Sequence, residues 1–148
     1  MEQIAIMHLI FVAFWFGVMA AETIIELYSK KRRELHTSTV RFHYWIDLLV
    51  ELPVVLGVLI LGIILVIMVK EITILHIVKI CLGLVAIGIN LFCIYVVVKR
   101  MNMLKNEEKE DNLWNSSKMV ERLGKVGIPI GVVVAVLGLY LGYCRMMN

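Results

Sequence analysis

The chain has 148 residues, of which 61% are hydrophobic and 18% charged, with a formal net charge of +3, and its mean hydropathy is +0.89. That balance excludes an ordinary water-soluble domain. The basic excess does not point to nucleic acid, because the basic residues flank hydrophobic spans and leave no aromatic-rich basic surface for bases to stack on.

The first uncharged run covers Gln3 to Ala21. Its leader, MEQIAIM, carries an acidic residue and no basic one, whereas a secretion signal starts positive. The basic residues come after it, as KKRR at 30–33, so the segment reads as an uncleaved anchor helix over about 4–28. A second uncharged run, Leu52 to Val69, belongs to a helix expected from about 44 to 69, with Pro53 bending it where its N–H is missing. Lys70 and Glu71 leave only a short turn before the third helix, about 72–98, so helices two and three are antiparallel neighbours. The segment NEEKEDNLWNSSKMVERLGK that follows is polar and mixed in charge. It fits either a short interfacial helix or a loosely ordered linker.

The last helix is expected over about 126–144. Gly127, Gly131, Ala135, Gly138 and Gly142 recur along it three or four apart and give one smooth face. Small residues let helix backbones approach closely in lipid, so this face seals the bundle or makes a homo-oligomer. Each run is long enough to cross a hydrocarbon core of about 30 Å. The expected fold class is therefore all-α: a polytopic membrane protein, a four-transmembrane-helix bundle forming one domain over 1–148.

Charge sets the orientation. Lys30, Lys31, Arg32, Arg33 and Arg41 precede the second helix, and Lys99, Arg100, Lys105, Lys109, Lys118, Arg122 and Lys125 lie between the third and fourth. The opposite side holds only Lys70 and Arg145, which is two against twelve. Both termini are expected outside the cytoplasm of a prokaryotic cell, with membrane lipids as the surrounding partner. The cysteines add little. Cys81 and Cys93 stand about 18 Å apart along one helix, Cys144 lies on another, and the chain has no CxxC; all three are read as small apolar packing residues.

Two polar sets need explanation. His8 lies four residues beyond Ile4 and His76 four beyond Ile72, which puts both roughly 6 Å into the apolar layer. His8, Trp15 and Glu22 form a stripe at seven-residue steps on the first helix, and His76, Gly83 and Asn90 form another on the third, with Lys79 one turn from His76. Polar stripes in a membrane helix face protein, ligand or water. Two facing imidazoles would hold haem iron on both axial sides, with Lys79 pairing a propionate or moving protons. Alternatively the two histidines hydrogen-bond across the bundle. The second set is Glu22 and Glu26 on the first helix with His43, Asp47 and Glu51 on the second, spaced by fours. These could bind a hard divalent ion, share a proton, or pair with nearby bases, with His36 as a further ligand from the loop. Within this set Glu22 and Glu51 are expected to face inward.

The segment MHLIFVAFWFG, with His8 followed by Trp15, Phe16 and Gly17, and the later LHIVK with Lys79, resemble the first- and third-helix motifs of the small membrane protoporphyrinogen oxidases of the HemJ type, themselves similar to the copper-resistance D membrane domain. The resemblance implies a haem-binding membrane oxidoreductase in which His8 and Lys79 are catalytic; together with the two stripes it places haem b among His8, His76, Lys79, Trp15 and Asn90. It also implies a membrane electron-transfer partner. The competing expectation is a copper or other divalent-metal permease or accessory protein, using His8, His76, Met19 and the acidic set of Glu22, Glu26, His43, Asp47 and Glu51. A structural bundle without chemistry is the third.

The charge asymmetry makes a direct prediction. Reporter fusions inserted near Arg32 and near Lys118 should both read as cytoplasmic; a fusion at Arg32 reporting the outer side would reverse the orientation.

Overall fold

The computed structural model describes residues 2–30, 36–69, 71–106 and 110–147. The order is α1 (Glu2–Lys30), α2 (His36–Ile46), a π-helical turn (Asp47–Glu51), α3 (Leu52–Met68), α4 (Ile74–Lys105) and α5 (Glu110–Met147). Four stretches are long and apolar enough to cross a membrane: Glu2–Ser29, Thr37–Met68, Ile74–Lys105 and Asn112–Gly142. The protein is an all-α bundle of four long apolar helices, as a polytopic membrane protein requires. Its spans alternate in direction, so α1 begins and α5 finishes at one end, the terminal end, opposite a loop end. Most of the 30–33 basic run, Lys70, Lys109 and the side chains of His36 and Cys144 lie outside the described residues.

The helices are longer than their uncharged runs. The second span starts at His36, where about 44 was expected, and the last helix starts at Glu110, where about 126 was expected. Backbone hydrogen bonding does not stop at the first charged side chain; it continues wherever that side chain reaches water. The polar stretch 110–125 is accordingly the first part of α5 and not a separate interfacial helix or a linker. With 32 residues α4 is about 48 Å long, well beyond a hydrocarbon core of about 30 Å. The excess falls at the loop end, where the charged residues are.

Pro53 does not act alone on the second span. It sits in the first turn of α3, just after the π-helical turn, in which the Leu52 N–H donates to the Asp47 carbonyl five residues back. In a regular α-helix residues four apart drift by about 40° per step, so His43, Asp47, Glu51 and Val55 would spread round the helix. The wider turn cancels that drift. All four are buried.

Apolar packing fills the middle of the bundle. Trp15, Val55, Val58 and Ala86 form one buried cluster, backed by Phe11, Val12, Met19, Ile87 and Ile130. Val96, Val97 and Val120 form a second, toward the loop end, with Tyr44 and Leu123 against it. Large apolar side chains such as Ile10, Phe14, Ile24, Ile60, Ile67 and Val136 point outward, as lipid-facing positions do.

The glycine face of α5 seals the bundle. A Cβ on Gly127 would stand 3.2 Å from Ile89 of α4, and one on Gly131 would stand 2.7 Å from Cζ of Phe16 on α1. Gly88, by contrast, has nothing within 4 Å of that position. Gly131→Val should therefore lower the thermal midpoint in detergent by overpacking against Phe16, a cost of about 1–3 kcal/mol, while Gly88→Ala should leave it near the wild-type value. Equal midpoints for the two variants would show that Phe16 yields freely.

Candidate metal centre

The seven-residue stripe on α1 places His8 and Trp15 toward the terminal end and Glu22 toward the loop end. Glu26 follows one turn later on the same face. Trp15, Glu22 and Glu26 are all buried. The straightened face of the second span brings His43, Asp47 and Glu51 opposite them, at 3%, 2% and 3% exposure. Five ionisable groups thus meet inside an apolar bundle.

They sort into two adjoining groups. In the first, Glu22, Asp47 and Glu51 each offer a carboxylate oxygen, and these oxygens all lie within 4.8 Å of one another. Glu51 is fixed by two donors: Trp15 Nε1 at 3.0 Å and Asn90 Nδ2 at 2.6 Å, both to Oε1. Oε1 of Glu22 and Oδ1 of Asn90 are buried without a partner. In the second group, Arg100 of α4 donates through Nη1 to Oε1 and Oε2 of Glu26, at 3.2 and 3.4 Å, and to the Ser117 hydroxyl of α5 at 3.0 Å. Its Nη2 lies 2.8 Å from His43 Nδ1, which is also 3.1 Å from Glu26 Oε2. Arg100 therefore ties α1, α2, α4 and α5 together.

The charge count does not close. Glu22, Glu26, Asp47 and Glu51 are four acids, and the cation hydrogen-bonded within the cluster is Arg100, which is committed to Glu26. Three clustered carboxylates in a low-dielectric bundle cannot all be ionised alone. They hold protons or a cation. Their chemistry is that of a hard oxygen site, suited to magnesium, manganese or calcium; copper prefers nitrogen or sulfur donors.

Glu22 and Glu51 face inward as expected, and Asp47 joins them. Glu26 and His43 also belong to this region, but Arg100 takes up their polar atoms, so they stand beside the carboxylate trio and not in it. Asn90, expected with His76 in the haem site, instead donates to Glu51 at the loop end. The ten-residue offset between Asn90 and the first turns of α4 carries it about 15 Å from Ile80 along the axis. Trp15 lies between the two regions.

At the terminal end His8, His76 and Lys79 do line one cavity of about 430 Å³, together with Gly62, Gly83 and Gly138. His76 is partly engaged: Thr73 caps α4 by donating its N–H to His76 Nδ1 at 3.3 Å, with its hydroxyl 2.7 Å from the same nitrogen. Iron ligation through the far nitrogen would leave that cap in place only if Nε2 gave up its proton.

Arg100 and Ser117 are the residues that reading the sequence missed. Arg100 looks like one of many basic residues at a helix end. Its signal is that Ala86, Cys93 and Arg100 recur at seven-residue steps beside the Asn90 stripe, which carries the buried face one turn further than the apolar run does. Replacing Arg100 with methionine should leave Glu26 buried without its counter-ion and cost about 3–5 kcal/mol, read as a large drop in thermal midpoint. Arg100→Lys should not restore it, because one ammonium cannot reach Glu26, His43 and Ser117 at once. No family model, curated protein or solved structure matches this chain.

Proposed function

We propose that this is a divalent-metal-binding membrane protein, of the permease or accessory kind, whose ion is held by Glu22, Asp47 and Glu51. The observation that supports it is the meeting of three buried carboxylates within 4.8 Å, beside a guanidinium, Arg100, that is already committed to Glu26. The oxygens Oε1 of Glu22 and Oδ1 of Asn90, buried without a hydrogen-bond partner, are lone-pair ligands of the same hard type. Trp15 and Asn90 hold Glu51 in place from behind, as outer partners of a ligand do. When bound, the ion would supply the positive charge the trio lacks. Glu26, paired with Arg100, stays out of the set and screens the site from the loop end.

Titration calorimetry on the purified protein with manganese or magnesium tests this. Glu22→Gln and Glu51→Gln should each weaken binding by at least about tenfold, since even the outer partners of metal ligands carry that much affinity. Wild-type affinity in both variants would sink the reading and leave a cluster that shares protons.

A second reading keeps the terminal cavity for a tetrapyrrole and follows the resemblance to the small membrane protoporphyrinogen oxidases. What supports it is that His8, His76 and Lys79 line the same cavity. Its signature would be a Soret band in the purified protein that His8→Ala removes.

A further inference from the structure

Lys79 is a cation inside a membrane-spanning helix, about 8 Å past the start of α4. Its side chain does not run out toward the lipid headgroups. Nζ and Cε lie 3.2 and 3.3 Å from the point where a Cβ on Gly138 would stand, so the ammonium crosses toward the glycine face of α5. Among the described residues no carboxylate pairs with it. The buried acids all belong to the other end of the bundle.

The cavity into which it opens, of about 430 Å³, is walled almost entirely by aliphatic side chains and glycines. Besides Lys79, its polar groups are His8, His76 and the indole of Trp15, whose N–H is committed to Glu51. His8 lines the same cavity as Lys79, and its Nδ1 is buried with no partner. His76 is occupied in capping α4. The cavity therefore offers one cation, one unpartnered imidazole nitrogen and an apolar wall. An isolated charge at this depth is costly unless it is paired, and the complementary ligand is an amphiphile with a single anionic head.

We propose that this cavity binds a lipophilic monocarboxylate, the fatty-acid class, with Lys79 as its counter-ion and His8 as the second polar contact. One cation matches one carboxylate. A haem would bring two propionates and leave one without a counter-charge. The aliphatic walls take the chain, and the carboxylate supplies the charge-assisted hydrogen bond that Lys79 lacks. This site is separate from the carboxylate trio, so it goes beyond the metal-binding reading and does not depend on it.

The test uses the full-length protein in detergent, stripped of lipid, with displacement of a fluorescent fatty acid by oleate, oleyl alcohol or haemin. Oleate should saturate at one per chain and outcompete oleyl alcohol. Lys79→Gln should weaken oleate by at least about tenfold, the loss of one hydrogen bond to a charged group, and Lys79→Arg should retain most of the affinity. Oleyl alcohol binding the wild-type protein as tightly as oleate would overturn the proposal, and that comparison holds even where the Lys79 variants fail to fold. Unchanged oleate affinity in Lys79→Gln would overturn it as well. So would haemin displacing oleate with a Soret band that depends on His8. Manganese affinity measured on the same preparation reports on the trio alone, so a failure at one site is distinguishable from a failure at the other.

Discussion

The placement of one guanidinium governs the loop end of this bundle. Arg100 is fully buried and its donors reach Glu26, His43 and Ser117 on three other helices. A buried ion pair adds little net stability against an apolar alternative, yet breaking it is expensive because the surviving charge stays buried. That asymmetry makes Arg100 a constraint on geometry more than a source of stability. It fixes which face of α1 and of α2 turns inward, and Glu22 and Asp47 follow from those same faces.

Two local departures from regular packing make the arrangement possible. The π-helical turn at Asp47–Glu51 lines up three polar side chains that an unbroken α-helix would spread, and it lies immediately before Pro53, which has no N–H to continue the regular ladder. On the facing side the glycines of α5 let Phe16, Ile89 and Lys79 approach its backbone closely. Close approach matters more here than in water, because helix association in lipid rests on packing rather than on exclusion of apolar surface.

The two ends carry opposite electrostatic deficits. Among the described residues the loop end has four buried acids and one buried guanidinium, so that buried cluster is short of positive charge. The terminal end has Lys79 and no paired acid among the described residues, so it is short of negative charge. Trp15 sits between them, lining the terminal cavity and donating its indole N–H to Glu51 at the loop end. The roughly 16–17 Å that separates Lys79 from Asn90 along α4 lies across an apolar layer of Trp15, Val55, Val58 and Ala86. Neither deficit is relieved by the other.

Composition and run length by themselves determined that the chain forms four apolar spans, since about 20 uncharged residues have few other stable states. The seven-residue stripes His8–Trp15–Glu22 and His76–Gly83–Asn90 likewise identified the inward faces, because side-chain direction along a helix is a local property. Helix ends were less legible: uncharged runs end where charge begins, whereas the backbone ladders start further back, at His36 and at Glu110. The tertiary structure alone decided which polar residues meet. Asn90 shares a stripe with His76 but bonds to Glu51, and Arg100, written among the basic residues of a helix end, is the most buried charge in the site. Partnership across helices depends on rotation, register and a π-helical turn, and none of these is encoded in the spacing of residues along a single helix.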